Sequence, residues 1–327
     1  MTAPPDQEVA PEVEPQPVGT GSREVWLLAG ASGFLGTALS NDLRRRGRTV
    51  RRLVRRDPSG PDEVRWDPTS GQLDPAALDG VGVVVNLAGV SIQKRWTDAN
   101  RKAILDSRVQ TTGTLARAIA ARTSGDGDLP VFLAQSATGY YAKNRPTPAT
   151  EADGVRDSGF LGGVCQAWEA AADPARAAGA RVCHLRTPVV LDTSGGALPL
   201  LAVPFKLGLG VPLGSGAQKM AIVALSDWIA AVGHLADTDA ISGPVNLVIP
   251  STVTNQEFTD ELARALHRPR IPWVKVPDVA LRAALDGFAT ELVDSLWLVP
   301  EALTASGFTF TAPTAAHAIR AALHTGR

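Results

Sequence analysis

The sequence predicts an α/β protein with a Rossmann-like, doubly wound parallel sheet of about seven strands and a smaller, mostly helical C-terminal lobe. Three observations lead to this prediction. Short apolar runs alternate with amphipathic segments over residues 24–250, a glycine-rich turn joins the first run to the first helix, and the alternation stops after Pro250. Strands that alternate with helices form βαβ units, and their parallel sheets are covered on both faces.

Each strand is predicted from a short apolar run: 25–29, 49–54, 63–66, 82–87, 130–135, 182–186 and 244–249. The helices between them are predicted from apolar residues at helical spacing: 34–47, 97–122, 159–179 and 223–236. After Pro250 the sequence predicts further short helices, and an extended piece at 308–310; the helices are 255–267, 278–286, 300–306 and 315–324.

Three regions follow from this pattern. Residues 1–22 are rich in proline and acidic residues and poor in large apolar ones, which predicts a disordered tail. A dinucleotide-binding domain is expected at 23–187 and 223–250. The remaining segments, 188–222 and 251–327, are expected to form the substrate lobe.

Composition and charge exclude several classes of protein. The 327 residues include 44% hydrophobic and 20% charged ones, as in ordinary globular proteins. Lys and Arg number 32 against 33 Asp and Glu, which argues against a nucleic-acid partner because such binding needs a basic face. Cys165 and Cys183 are too few for a disulfide framework, and the histidines are scattered, so no metal is expected. No signal peptide or membrane-spanning run is recognisable, so a cytoplasmic protein without membrane contact is expected.

The turn from Gly30 to Gly36 has the spacing GxxGxxG between a predicted strand and a predicted helix. Glycines allow the backbone to turn tightly and to approach a pyrophosphate, which the helix N-terminus attracts. The turn therefore predicts a dinucleotide site, and we assign its residues to cofactor binding: Gly30, Ser32, Gly33, Phe34, Leu35 and Gly36.

The end of the second strand indicates which dinucleotide binds. Enzymes that use NAD usually carry an acidic residue there for the ribose 2′-hydroxyl. Here the strand leads into Arg55 and Arg56, and arginine is suited to a 2′-phosphate. We therefore expect NADP(H) in preference to NAD(H), the alternative being that both arginines are merely solvated charges.

The motifs together resemble the extended short-chain dehydrogenase/reductase superfamily. They include GASGFLG at 30–36, NLAG at 86–89, KRW at 94–96, SATGYY at 136–141, GGAL at 195–198 and GFTF at 307–310. Their order is similar to that of the NAD-dependent epimerase/dehydratase-like subgroup, which includes nucleoside-diphosphate-sugar epimerases and SulA-like proteins with a C-terminal domain of unknown function. The resemblance extends from Glu24 to the end of the chain.

The resemblance implies roles for further residues. Leu87, Ala88 and Gly89 would pass the cofactor ribose and pyrophosphate as backbone. Asp67 would lie near the adenine, or would instead be a turn residue before Pro68. Ser136 falls where the superfamily keeps its catalytic Ser or Thr.

The superfamily's catalytic Tyr-x-x-x-Lys pair is missing. If Glu169 is aligned with the acidic residue that often follows the pair, its two positions fall on Leu161 and Cys165. Tyr140 and Tyr141 are the candidates to replace the tyrosine as proton donor. The alternative is that one of them packs and the other is an exposed loop residue.

Further polar residues are candidates for binding, Arg108 in the predicted helix 97–122 among them. Arg186, which we assign to the cofactor site, and Arg95 could hold an anionic group such as a sugar-nucleotide phosphate, and Trp96 could stack on a ring. The alternatives are arginines paired with carboxylates at 151, 153 or 157, and a tryptophan packed under a loop.

The sequence thus predicts an NADP(H)-dependent epimerase/dehydratase-like oxidoreductase with an atypical active site. Its substrate would be an unidentified small molecule, a nucleotide sugar being one candidate. The alternative function is a non-catalytic NADP(H)-binding sensor or regulator that acts through a protein partner. Helices 97–122 and 159–179 are the pair that superfamily dimers often use, so a homodimer through them is one candidate assembly.

Overall fold

The computed structural model describes residues 23–93, 95–122, 128–154, 156–206, 210–268 and 294–324. The predicted tail at 1–22 and the predicted helix at 278–286 lie outside the described residues.

The predicted fold class is confirmed by a central sheet, which has eight strands in the described part of the chain. Its strands are β1 Val25–Ala29, β2 Thr49–Val54, β3 Glu63–Asp67, β4 Gln72–Leu73, β5 Val83–Asn86, β6 Val131–Ala137, β7 Val182–Thr187 and β12 Gly243–Asn246. Their order is β12-β7-β6-β5-β1-β2-β3-β4, and every neighbouring pair is parallel except β3 and β4. The order reverses between β1 and β5, which is where open sheets of this kind bind ligands.

Helices cover both faces of this sheet: α1 Phe34–Arg45, α2 Asp98–Ala120, α3 Phe160–Ala170, α4 Asp173–Ala177 and α6 Leu225–Asp237. Strand alternation divides the core in two. Val83 and Val85 of β5 pack with Leu39 of α1 and Trp228 of α6, whereas Val84 packs with Leu115 of α2 on the opposite face.

A second apolar cluster lies outside the sheet. Its elements are β8 Val189–Asp192, β9 Gly195–Gly196, α5 Leu198–Lys206, β10 Lys219–Met220, β11 Ile222–Ala224, β13 Val253–Thr254, α7 Asn255–Ala265 and α9 Ala315–His324. The short helix α8, Glu301–Ala305, instead packs on the core of the main sheet through Leu303. Strands β9, β8 and β11 form one small sheet, and β10 and β13 form another. Leu191, Ile222, Phe258 and Ile319 join in its core.

Several predicted boundaries differ from the structure. The helix predicted at 159–179 is two helices, because Pro174 lacks an N–H and is tolerated only in a first helical turn, where it starts α4. Val223 belongs to strand β11 and not to the following helix. The piece predicted at 308–310 is not part of a strand; Phe308 and Phe310 stack edge to face instead, with ring centroids 4.9 Å apart.

Candidate functional site

The glycine turn joins β1 to α1 at the carboxyl end of the parallel strands. Gly30 has a φ of +78°, and a Cβ at this position would lie 2.7 Å from the amide nitrogen of Ala88. A Cβ at Gly36 would lie 2.2 Å from the carbonyl oxygen of Gly30. Because the chain after β5 and the first turn of α1 both pack on the turn, only glycine fits at these two positions.

The N-terminus of α1 is open to a ligand. Its N-cap residue is Gly33, which has no side chain to accept from the first N–H groups of the helix. A Cβ at Gly33 would meet only the Gly30 carbonyl oxygen, 3.3 Å away. The uncapped N–H groups and the positive end of the helix dipole therefore face free space, which suits an anion.

A groove of about 570 Å³ extends from this turn to the end of β2. The groove is lined by predicted cofactor residues from three separate turns: Gly30, Ser32, Gly33, Arg55, Leu87, Ala88 and Gly89.

Arg55 and Arg56 both line the groove but have different surroundings. Arg56 donates two hydrogen bonds of 2.7 Å to Glu63, which also accepts from Ser59. These contacts, Arg56 first, lower the pKa of Glu63 to about 2. Arg55 is exposed and has no hydrogen-bond or ion-pair partner among the described residues. Of the two guanidinium groups, Arg55 is therefore the one available to an added phosphate.

Asp67 does not line the groove. Its carboxylate accepts from the Ser70 hydroxyl at 2.9 Å and the Thr69 backbone N–H at 2.9 Å, and both contacts lower its pKa. The carboxylate thus makes the turn contacts that its alternative expected, while Pro68 and Thr69 line the groove at this point, and contact of Asp67 with the adenine stays a prediction.

A second cavity, of about 320 Å³, adjoins the groove at the first turn of α1. Phe34 and Leu35 form part of its wall, together with residues at the ends of β6 and β7 and along α3. Leu161 and Cys165, the positions where the resemblance would put the missing tyrosine and lysine, both line this cavity. If that alignment is right, the superfamily's catalytic pair would lie at this cavity, where this chain has the side chains of Leu161 and Cys165 instead.

Ser136 and Arg186 bind a single carboxylate beneath this cavity. The two residues are register partners on β6 and β7, and neither is among the cavity's lining residues. The Ser136 hydroxyl donates to Glu169 at 2.7 Å, and Arg186 donates to the same carboxylate at 2.8 and 2.9 Å. Burial would raise the pKa of Glu169, but Arg186 outweighs it, so the pKa lies below its usual range. Arg186 thus pairs with Glu169 and not with the carboxylates considered from the sequence.

Tyr140 and Tyr141 are held by the same arginine. Tyr141 is fully buried, donates to Asn246 at 2.8 Å and accepts from Arg186 at 2.7 Å. Burial raises its pKa to about 12. The Tyr140 ring lies against Arg186, with the guanidinium carbon 3.6 Å from the ring centroid, and its hydroxyl accepts from Arg156. The catalytic assignment of Ser136, Tyr140 and Tyr141 stays a prediction, and the contacts shown are packing and hydrogen bonding.

The predicted substrate residues Arg95 and Trp96 lie outside the apolar cavity. Arg95 is exposed. Trp96 is 9% exposed, donates to the Ile92 carbonyl and packs edge to face on Phe160, with ring centroids 5.2 Å apart. Its edge reaches a neighbouring polar cavity of about 470 Å³. Trp96 therefore packs as its alternative expected, and contact of either residue with substrate stays a prediction.

Comparison with known proteins identifies the family. The model for the "NAD dependent epimerase/dehydratase family" matches residues 26–248, and the model for a domain of unknown function, DUF1731, matches residues 276–322. The chain belongs to the NAD dependent epimerase/dehydratase family. An epimerase family protein of Mycobacterium bovis is 42% identical over 285 residues, which cover 86% of this chain and 92% of that protein.

Two solved structures of this family are also similar. The human epimerase family protein SDR39U1, crystallised with NADPH, is 29% identical, with a TM-score of 0.80 over 92% of this chain and 99% of that one. A nucleoside-diphosphate sugar epimerase from Corynebacterium glutamicum is 32% identical, with a TM-score of 0.75 over 93% of this chain and 59% of that one.

In this epimerase-family chain, the cavity wall includes a hydroxyl that the sequence had not indicated, and Arg108, which was among the polar candidates from the sequence. Thr138, directly after β6, lines the cavity, and its hydroxyl makes no hydrogen bond within the described part of the chain. Arg108 of α2 also lines the cavity. The sequence signal for Thr138 was its distance of two residues from Ser136, which places it past the strand end and at the sheet edge.

The described helices include none that is both long and apolar enough to cross a bilayer. The predicted homodimer through α2 and α3 stays a prediction.

Proposed function

We propose that this family member is an NADP(H)-dependent oxidoreductase that acts on a small molecule in the apolar cavity beside the glycine turn. The observation that carries the proposal is Arg55, an unpaired guanidinium in the groove that leads from that turn. A contact between arginine and a 2′-phosphate is charge-assisted, and NAD(H) offers no such group. The similar human protein, whose crystal structure contains NADPH, supports the same cofactor.

The residues present fit this cofactor. The uncapped start of α1 would hold the pyrophosphate, the backbone at Leu87–Gly89 would pass the ribose, and Arg55 would bind the 2′-phosphate. Phe34 and Leu35 lie between the groove and the cavity, so a dinucleotide that follows the turn would bring its far end to the cavity.

NADPH, when bound, supplies a hydride, and a proton from solvent would complete the reduction of the resulting alkoxide to an alcohol. The chain supplies the surroundings of the reacting carbonyl: apolar walls that exclude water, and the Thr138 hydroxyl, which is free to donate a hydrogen bond to the substrate oxygen. A fixed donor at the oxygen that becomes negative lowers the barrier most when water is excluded. Thr138 is therefore the cavity hydroxyl that we assign to orienting the substrate, whereas Ser136 already donates to Glu169.

A second candidate function is a non-catalytic NADP(H)-binding sensor that acts through a protein partner. Leu161 and Cys165 favour it, because neither can replace the proton-donating tyrosine with its lysine.

A calorimetric titration of the purified protein with NADPH and NADH tests the proposal, with Gly33→Asp as the matched variant. We expect NADPH to bind more tightly than NADH, and Gly33→Asp to lose both because a carboxylate would occupy the pyrophosphate site. NADPH-dependent turnover of a panel of apolar ketones and aldehydes would then favour the enzyme over the sensor. If neither nucleotide binds the wild-type protein, both candidate functions fail.

A further inference from the structure

The apolar cavity has few charged groups in its wall. Its lining is dominated by aliphatic and aromatic side chains: Phe34, Leu35, Ile92, Leu161, Val164, Trp168, Pro188, Val189, Val190, Leu201, Met220 and Leu296. Among the described lining residues only Arg108, Lys219 and Asp294 carry a full charge at neutral pH. A volume of about 320 Å³ accommodates a small molecule, but two phosphates placed in this wall would lack matching cations.

Lys219 and Asp294 belong to the mouth of the cavity. Asp294 also lines the neighbouring polar cavity, so it marks the side on which the two cavities meet. The Lys219 ammonium lies 5.7 Å from the ring centroid of Trp297, outside the lining residues. Both charges can therefore be hydrated, unlike a charge within the apolar wall.

Arg108 is the charge within the wall. Its guanidinium stacks on Trp168, with the guanidinium carbon 4.8 Å from the ring centroid. One terminal nitrogen donates to the Val90 and Ile104 carbonyls, both at 3.0 Å. No carboxylate pairs with it among the described residues, and its remaining N–H groups make no hydrogen bond there. Burial lowers its pKa, although arginine stays charged at neutral pH.

The location of Arg108 relates it to the missing catalytic pair. Cys165, at the position of the missing lysine, is near enough to this guanidinium to interact with it electrostatically. The cavity therefore keeps one cation near the place of the absent lysine, but that cation comes from α2 and not from α3. Arg108 is half-buried, and a partly desolvated cation without a counter-ion is stabilised when an anionic ligand pairs with it.

We infer that the cavity binds a small, mainly apolar organic carboxylate, whose anionic group pairs with Arg108 while its hydrocarbon part lies against the apolar wall. The inference rests on the proposed function, because it names the substrate class for the same cavity. The Arg108 guanidinium can donate hydrogen bonds to both carboxylate oxygens, and stacking on Trp168 fixes its plane. A nucleotide sugar is disfavoured for this cavity.

The experiment is calorimetric binding of 2-naphthoate and of its neutral analogue 2-naphthamide, without cofactor. The two probes share a ring system and differ in charge. We expect the wild-type protein to bind the carboxylate about tenfold or more tightly than the amide, because a charge-assisted hydrogen bond contributes that much. Arg108→Gln should abolish this preference, and Arg108→Lys should retain part of it. Arg101→Gln is the matched control: it removes an exposed arginine of the same helix that does not line the cavity, and the preference should persist.

Three results would overturn the inference. The first is equal affinity of the wild-type protein for the two probes. The second is loss of the preference in Arg101→Gln as well as in Arg108→Gln. The third is loss of NADPH binding in a folded Arg108→Gln variant, since Arg108 would then belong to the cofactor site. Because the probes are measured without nucleotide, failure of NADPH to bind the wild-type protein would count against the proposed function alone.

Discussion

Arg186 donates two hydrogen bonds, of 2.8 and 2.9 Å, to the carboxylate of Glu169, and both side chains are almost completely enclosed. The pair joins β7 to α3, and the surrounding hydroxyls of Ser136 and Tyr141 bind to it as well. A buried ion pair of this kind is expensive to leave half-formed, because the remaining charge stays out of water. The pair therefore holds together β7 and α3, which both contribute residues to the cavity wall.

Glu169→Gln should lower the free energy of unfolding by about 3 kcal/mol, because Arg186 would remain buried without its counter-charge. Asp173→Asn is the control: Asp173 also pairs with an arginine, but its side chain is 52% exposed, so the loss should be below about 1 kcal/mol. Urea unfolding of both variants measures the difference. Similar losses in the two variants would contradict the importance given to the buried pair.

Much of the sheet could be predicted from the sequence because its strands are short apolar runs. Val83–Asn86 is an example: every residue of this strand is buried. The glycine turn was also predictable, because its motif is contained in one short segment, residues 30–36. The ion pair of Arg186 with Glu169 could not be predicted in this way. It depends on how β6 pairs with β7 and on where α3 packs against the sheet.

The candidate catalytic hydroxyl was the harder prediction. Ser136 and Thr138 are two residues apart, and the resemblance favours Ser136. Only the three-dimensional arrangement distinguishes a hydroxyl that is bound to Glu169 from one that is free at the cavity wall. Arg108 was similarly undervalued, because nothing in the sequence indicates that its charge has no carboxylate partner.

Arg55→Ala should weaken NADPH binding about tenfold or more and leave NADH binding nearly unchanged, because only NADPH carries the 2′-phosphate. The measurement is calorimetric titration of each variant with both nucleotides. Arg65→Ala is the control, since Arg65 is an exposed arginine on the next strand that pairs with Asp57 and does not line the groove. Equal weakening of NADPH and NADH by Arg55→Ala would remove the case for NADP(H).

Glu63 should make stability depend on pH below neutrality. Its contacts, chiefly with Arg56, lower its pKa from 4.5 to about 2. A carboxyl whose pKa is lowered by folding stabilises the protein above its unfolded pKa, and this stabilisation is lost as the pH falls from 4.5 through 2. The free energy of unfolding in urea should therefore fall more steeply between pH 5 and pH 3 in the wild type than in Glu63→Gln.

The control for this pH dependence is Glu24→Gln, which changes an exposed carboxylate next to β1. Its unfolding free energy should follow that of the wild type over the same range. If the stability difference between the wild type and Glu63→Gln were the same at pH 3 as at pH 6, the lowered pKa of Glu63 would be wrong.

Thr138→Val and Ser136→Ala together decide which hydroxyl serves the reaction. Thr138→Val keeps the shape of the side chain and removes the free donor from the cavity wall, so kcat for any apolar carbonyl substrate should fall by about 10²-fold or more. NADPH affinity should not change, because Thr138 does not line the cofactor groove. Ser136→Ala should mainly lower stability through the lost hydrogen bond to Glu169. The opposite pattern, with turnover lost in a stably folded Ser136→Ala and kept in Thr138→Val, would restore Ser136 as the catalytic hydroxyl, because the lost interaction would then be one made in the transition state.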